Sequence, residues 1–238
     1  MHLGVPDASG LVSSAAANHT LLLSCGIDGE TSRATLQLAR AFPETVRAFV
    51  GVHPSEAAGA KPLRWLGGAL EKASGLGEVG LDPKYSEKGA KSDQMKVLLA
   101  QLQTAERHRR PVQVHSRDAE RECLDALGGF RLGPVLMHWF QREELLSETL
   151  GRGYFVSFGP ALLYSRKLQR MAGKCDPGQV LTETDSPVSY TPLGGISGPS
   201  LLPSVVFKLA ELWDHRFEDA RATVAGNAML FLGEPEKG

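Results

Sequence analysis

Short apolar runs alternate with amphipathic stretches along nearly the whole of this 238-residue chain. Seven runs of strand length begin near residues 20, 46, 76, 111, 134, 154 and 180. The stretches between them carry apolar residues at helical spacing, most clearly in 91–107, where one stripe is formed by Met95, Leu98, Leu99, Leu102 and Ala105. Because each helix returns the chain to the same edge, this alternation favours a parallel sheet covered by helices.

The predicted fold is an α/β, TIM-type (β/α) barrel with seven recognisable strands. A closed barrel of this type has eight strands. The missing strand would precede residue 20, where Met1-His2-Leu3-Gly4 runs into a loop-like segment at 6–10. We therefore expect the first strand to be truncated or absent. With a mass of 25.6 kDa and no internal repeat or linker, residues 1–238 are expected to form one domain.

Helix start and stop signals in the sequence predict the positions of the helices. The predicted helices cover 31–42, 62–70, 91–107, 119–127, 143–150, 162–171, 204–213 and 217–231, and a Gly/Pro-rich loop covers 192–203. The basic run at 107–110 ends one helix and precedes a strand. We expect it at the N-terminal face of the barrel, where cations suit a helix C-terminus and the active site is remote.

Bulk composition argues against several classes of protein. The formal net charge of −1 and the isoelectric point of about 6.7 give no global attraction to nucleic acid or to an acidic membrane. Three scattered cysteines without a Cys-x-x-Cys pair are typical of reduced thiols in a core. No apolar run is long enough to cross a bilayer, and the N-terminus lacks the features of a signal peptide. We expect a cytoplasmic monomer without membrane attachment.

Five of the apolar runs end on or next to a residue that can bind a metal ion, namely His53, Glu78, His115, His138 and Asp185. In a parallel barrel the C-terminal ends of the strands meet at one rim, and active sites of this fold lie there. Histidine and carboxylate ligands suit Zn²⁺, Mn²⁺ or Mg²⁺, and a bridging carboxylate suits two ions about 3.5–4 Å apart. The sequence therefore predicts a centre with one or two divalent metal ions.

Each of these residues also has a structural interpretation. A single histidine at a strand end is more often a hydrogen-bonded structural residue than a ligand. The whole set favours ligation, because unpaired carboxylates at one rim would repel one another without a cation. His53, which precedes a proline, can instead line the pocket or support a ligand. Arg117 can contact a substrate phosphate through its planar guanidinium, or pair with Asp118 or Glu120 at the surface.

Six motifs together carry a family resemblance. They are GVHP (51–54), GEVGLD (77–82), PVQVHSRDA (111–119), HWF (138–140), GYFVSFGP (153–160) and ETDSP (183–187). Each motif is weak alone, but their order and spacing, over about residues 20–233, resemble the TatD family of metal-dependent hydrolases. This family belongs to the amidohydrolase-like TIM barrels, so the resemblance implies that fold and a deoxyribonuclease activity.

The resemblance also implies roles for individual residues. The residues that match the family's metal ligands are Glu78, His115, His138 and Asp185. Among them, Glu78 is placed to bridge two ions. The family usually begins with Asp-x-His-x-His, and His2 resembles the second histidine of that motif, while the rest of the motif is missing.

These assignments predict a hydrolase that attacks a phosphodiester with metal-activated water. Asp185 and Glu78 are the predicted catalytic residues, with Asp185 as general base, and Arg117 and His53 are the predicted substrate-binding residues. Contact with a few phosphates suits the end of a single-stranded or frayed DNA, so the first hypothesis is a 3′–5′ exonuclease. Two alternatives stay open: a metal-dependent amide or ester hydrolase, such as an aminoacyl-tRNA deacylase, and a metal-poor binding protein on the same fold.

Overall fold

The structure, a computed structural model, describes residues 8–60, 62–88, 91–187, 189–190 and 195–234. The predicted ligand His2 lies outside these residues. The chain divides into two units, Met1–Val135 and Leu136–Gly238. Each unit is built from strands that alternate with helices, as the sequence predicts. The expectation that 1–238 acts as one domain stays a prediction.

The first unit consists of parallel strands with helices between them. Its elements are α1 (Ala8–Ala17), β1 (Leu22–Cys25), α2 (Gly29–Ala41), β2 (Val46–Val50), α3 (Leu66–Leu70), β3 (Gly75–Gly80), α4 (Lys91–His108), β4 (Val112–His115) and α5 (Glu120–Leu127). Short 3₁₀ turns occupy Pro54–Gly59, Leu63–Trp65 and Pro83–Lys88. The four strands lie in the order β1-β2-β3-β4. Strand β3 is buried along its whole length, as expected of a parallel strand with both faces covered.

The second unit repeats the pattern and adds a hairpin. Its elements are β5 (Val135–Met137), which starts at the boundary, α6 (Leu146–Gly151), β6 (Phe155–Phe158), α7 (Arg166–Ala172), β7 (Val180–Thr182), β8 (Ser189–Tyr190), β9 (Gly195–Ile196), α8 (Leu202–Trp213) and α9 (Phe217–Leu232). Strands β5, β6 and β7 pair in parallel, and β8 pairs with β9 in antiparallel fashion.

The closing helices of the second unit are hydrogen-bonded to β7, to the turn before it and to α7. Asn227 Nδ2 in α9 donates to Pro177 O at 2.7 Å and to Val180 O at 2.8 Å. Trp213 Nε1 at the end of α8 donates to Ala172 O at 3.1 Å. Strand β7, whose far end carries the ETDSP segment, is therefore anchored at its start.

Helix α1 differs from the sequence prediction. The sequence predicts a loop at 6–10, whereas the helix already begins at Ala8. Val12 and Ala15 are buried and form one cluster with Leu22 and Val46. Since the stretch is rich in alanine and serine, it carries too few large apolar residues for helical periodicity to show in the sequence.

All seven predicted strands are present within the described part of the chain, each within two residues of its predicted start. The apolar stripe of α4 is only partly confirmed. Leu98, Leu102 and Ala105 are buried, but Leu99 is 39% exposed. Successive helical residues are turned by about 100°, so Leu99 cannot share the face of its neighbour Leu98. The buried face of α4 instead contains two glutamines, Gln94 and Gln101.

The cysteines behave as the sequence predicts. Cys25, Cys123 and Cys175 are buried free thiols. Burial, helped by the negative charge of Asp176, raises the pKa of the Cys175 thiol to about 12.

Among the residues that the structure describes, helices are too short or too polar to cross a membrane.

The two leucines of α4 give a matched test of its orientation. Leu102→Ala should lower the free energy of unfolding by about 2–5 kcal/mol, because Leu102 is fully buried. Leu99→Ala should lower it by less than about 1 kcal/mol. Urea unfolding followed by circular dichroism measures both, and equal losses would contradict the orientation of α4.

Candidate metal centre

His115, the last residue of β4, lies between two carboxylates of the first unit. Its Nδ1 is 2.7 Å from Glu78 Oε1, and its Nε2 is 2.7 Å from Asp82 Oδ2. Glu78 lies within β3, and Asp82 follows that strand by two residues. Because both ring nitrogens have a carboxylate partner, the imidazole cannot rotate without losing both contacts. The orientation of His115 is thereby fixed.

The backbone of Gly80 makes this arrangement possible. Gly80 lies opposite His115 in the β3–β4 register and has φ +148°. A Cβ at this position would lie 1.8 Å from the carbonyl oxygen of His115. Only glycine allows the two strand ends to approach so closely. This close approach brings the carboxylates of Glu78 and Asp82, on either side of Gly80, within reach of the imidazole.

Asp82 is a site residue that the sequence analysis missed. It is completely buried, and besides His115 it accepts from Arg117 NH2 at 2.6 Å and from Lys84 N at 2.9 Å. Burial pushes the pKa of the Asp82 carboxyl upward, but hydrogen bonds from His115 and Arg117 outweigh burial and hold that pKa below its ordinary value. Asp82 is therefore a carboxylate at neutral pH. Its only signal in the sequence is its place at the end of the GEVGLD motif.

His53 lies beside this pair. Its Nε2 is 3.8 Å from Glu78 Oε1, and its ring meets the His115 ring edge-on, with centroids 4.8 Å apart. Ser55 N donates to His53 Nδ1 at 3.2 Å, while Ser55 Oγ lies 2.9 Å from the same nitrogen. The amide contact requires a lone pair on Nδ1, so it places the proton of a neutral ring on Nε2, which faces Glu78. This geometry favours His53 as a hydrogen-bond donor in the site.

Arg117 is held by the same network. Its guanidinium forms the ion pair with Asp82 and lies over the ring of Tyr85, 5.3 Å from the centroid. The side chain stays 41% exposed. The sequence suggested surface pairing with Asp118 or Glu120 as an alternative to phosphate contact, and the buried Asp82 is the partner seen instead. Asp82 and Tyr85 thus fix the orientation of Arg117, while part of its side chain faces solvent.

In the second unit His138 has a carboxylate partner of its own. His138 follows β5 and is buried, and its Nδ1 lies 3.1 Å from Glu183 Oε2. Ser157 Oγ donates to the same oxygen at 2.6 Å. When Nδ1 donates its proton to Glu183, the lone pair of a neutral imidazole lies on Nε2. The contact therefore prepares His138 for ligation through Nε2.

Asp185 follows Glu183 by two residues on the segment beyond β7. Its backbone is left-handed, with φ +50°, a conformation that aspartate adopts more readily than most residues. Ser197 Oγ donates to Thr184 O at 2.5 Å, and Ser186 Oγ donates to Ser197 O. Hydrogen bonds on both sides of Asp185 therefore tie its segment to the one that follows the hairpin.

The donor atoms of the first unit fit a divalent cation. His53, Glu78 and His115 each offer one ligand atom, and these atoms lie within 4.8 Å of one another. Glu183 Oε1 is buried and has no hydrogen-bond partner among the described residues. Buried carboxylate oxygens normally have a partner, and a nearby cation or water supplies one. Imidazole and carboxylate donors together are the mixture that Zn²⁺ and Mn²⁺ accept.

Comparison with known proteins agrees with this chemistry. The family model described as TatD related DNase matches residues 2–233. The deoxyribonuclease TATDN3 of Homo sapiens is 31% identical over 209 residues, which cover 78% of this chain and 76% of that protein. The 3′-5′ ssDNA/RNA exonuclease TatD of Pectobacterium carotovorum is 28% identical over 217 residues, 84% of this chain and 81% of that protein.

A solved structure agrees on the fold. YJJV, a TatD homologue from Escherichia coli, superposes with a TM-score of 0.88 at 22% identity, covering 98% of this chain and 96% of that one. At this identity the likeness speaks for the fold alone. The predicted α/β, TIM-type (β/α) barrel with seven strands is confirmed.

The role of Asp82 can be tested through metal binding. Asp82→Asn removes the charge that holds His115 and Arg117, and we expect the dissociation constant for Mn²⁺ to rise about 10–100-fold. Isothermal titration calorimetry measures it. Asp125→Asn is the matched control, since Asp125 lies at the surface, 3.6 Å from Arg121. An unchanged affinity in Asp82→Asn would contradict a supporting role for Asp82.

Proposed function

The chain belongs to the family of TatD-related DNases, and on that premise we propose that it is a metal-dependent phosphodiesterase, a 3′–5′ exonuclease acting on single-stranded or frayed DNA. The observation that carries the proposal is the fixed imidazole of His115 between Glu78 and Asp82. The family match favours this hypothesis over an amide or ester hydrolase and over a metal-poor binding protein.

One or two divalent ions, Mg²⁺, Mn²⁺ or Zn²⁺, are the proposed cofactor. The proposed ligands are Glu78, His115, His138, Asp185 and His2. A divalent cation in such a centre acidifies water and offsets the charge of a phosphodiester. Two contacts support the proposal for the histidines: Asp82 holds one nitrogen of His115, and Glu183 holds Nδ1 of His138.

Asp185 and Glu78 are the proposed catalytic carboxylates. Asp185 acts as general base and takes the proton of the attacking water, and Glu78 lies beside His115 as its partner in the centre. The hydrogen bonds that flank Asp185 support this role, because a general base needs a fixed direction. Glu183 keeps its contact with His138 throughout and takes no proton from substrate.

Arg117 and His53 are the proposed contacts to the substrate phosphate. The guanidinium of Arg117 is pre-orientated by Asp82 and Tyr85, so binding a phosphate costs it little conformational entropy. A planar fork of N–H donors suits two phosphate oxygens at once. His53 adds a neutral donor through Nε2. The chain has a net charge of −1 and offers only these few phosphate contacts. We therefore expect it to bind the end of one nucleic-acid strand rather than the length of a duplex.

The names of the relatives support the substrate class. One is a deoxyribonuclease, and one is a 3′-5′ exonuclease on single-stranded DNA and RNA.

We further propose that residues 1–238 work as one domain, as a monomer and in the cytoplasm. Size-exclusion chromatography with light scattering tests the monomer, for which 25.6 kDa is the expected mass.

Substitution of His115 tests the centre directly. His115→Ala should lower Mn²⁺-dependent cleavage of a single-stranded oligonucleotide at least about 100-fold, since it removes a ligand and the partner of two carboxylates. His215→Ala is the control, because His215 is exposed and remote in sequence from the strand ends. Undiminished activity in purified His115→Ala would assign the cleavage to a contaminating enzyme.

The direction of cleavage is a separate prediction. A single strand labelled at its 5′ end should yield a ladder of shortening products, whereas a strand labelled at its 3′ end should release labelled mononucleotide from the start. Denaturing gel electrophoresis distinguishes the two patterns. A 3′-terminal phosphorothioate linkage should block the reaction, and cleavage that begins within the strand would contradict an exonuclease.

A further inference from the structure

Helix α4 buries two glutamines seven residues apart. Gln94 is 2% exposed and Gln101 is fully buried. A primary amide is costly to bury unless its donors and acceptor are satisfied. Residues seven apart lie on the same face of a helix. Both amides therefore point from one face of α4 toward the same side of the first unit.

Gln101 binds the backbone immediately before His53. Its Oε1 accepts from Val52 N at 2.7 Å, and its Nε2 donates to Val52 O at 3.0 Å. The ladder between β2 and β3 has its last pair at Val50 and Leu76. Val52 lies beyond that ladder, and the glutamine supplies the two hydrogen bonds that a neighbouring strand would have made.

Gln94 does the same for Asp82. Its Oε1 accepts from Asp82 N at 2.9 Å, and its Nε2 donates to Asp82 O at 2.9 Å. The same Nε2 also donates to Pro54 O at 3.4 Å. Gln94 thus joins the backbone of Asp82 to the residue that follows His53.

Neighbouring contacts complete the support of the His53 segment. Ser32 Oγ accepts from Gly51 N at 3.2 Å and donates to Gly51 O at 3.4 Å. His53 N donates to Ile27 O at 2.9 Å. Each residue from Gly51 to His53 is therefore hydrogen-bonded through its main chain. Gln103, by contrast, is exposed on the same helix and serves as a natural comparison.

We propose that Gln94 and Gln101 are positioning residues of the metal centre. Gln94 sets the main chain at Asp82 and through Asp82 the orientation of His115, and Gln101 sets the main chain next to His53. An amide side chain suits this role because it carries a donor and an acceptor side by side, matching the C=O and N–H of one residue. This inference rests on the proposed metal-dependent function, since the positioned residues are the candidate ligands and their partners.

The test compares Gln94→Met, Gln101→Met and the control Gln103→Met, because methionine keeps the length of glutamine and removes its hydrogen bonds. Hydrogen–deuterium exchange should be faster at least about tenfold at the Asp82 amide in Gln94→Met and at the Val52 amide in Gln101→Met. The Mn²⁺ dissociation constant from calorimetry should rise about tenfold in both variants. Gln103→Met should match the wild type in every measurement.

Two outcomes would contradict the inference. Wild-type Mn²⁺ affinity in both variants, together with a lowered melting temperature, would make the glutamines mere stabilisers of the fold and overturn the inference alone. Failure of the wild-type chain to bind Mn²⁺ would overturn the proposed function as well. If Gln94→Met does not fold, Gln101→Met carries the same test against Gln103→Met.

Discussion

The contact on which the rest of the site depends is the imidazole of His115 held between the carboxylates of Glu78 and Asp82. Two negative groups this close to one ring need positive charge among them, either a protonated imidazole or a bound cation. Arg117 satisfies part of that need through Asp82. A cation bound by Glu78 and His115 would supply positive charge on the Glu78 side of the ring.

The surrounding fold serves mainly to hold this contact in place. Parallel strands bring their ends to one edge, but the β2–β3 ladder stops at Val50, before His53. Side chains from helices take over at that point, with Ser32 from α2 and two glutamines from α4. In the second unit Ser157 and Glu183 give comparable support to His138. The rigidity of the site therefore comes from hydrogen bonds to the main chain and to ring nitrogens rather than from apolar packing alone.

Much of the fold could be predicted from the sequence, because buried parallel strands are short apolar runs and their ends carry the chemistry. The candidate residues His53, Glu78 and His115 followed from their positions within or at the ends of such runs, and the structure brings their ligand atoms within 4.8 Å of one another. Asp82 could not be assigned in this way, since its role depends on the close approach of β3 and β4 at Gly80. The buried glutamines were hidden for a related reason. From sequence alone, a polar residue on a helix is expected to face solvent. The main-chain partners of Gln94 and Gln101 lie 12 and 49 residues away in the chain, so the sequence does not indicate these contacts. Helix α1 was not predicted because a stretch rich in alanine and serine shows little hydrophobic periodicity.

The claim that a cation is bound at Glu78 and His115 is tested most directly by locating that ion. A crystal grown with Zn²⁺ and measured at the zinc absorption edge would show it as an anomalous difference peak. Cation binding at these two residues predicts a peak about 2.0–2.2 Å from a nitrogen of His115 and from an oxygen of Glu78. A fully loaded crystal with no peak next to these two residues, or with zinc bound only elsewhere, would contradict it.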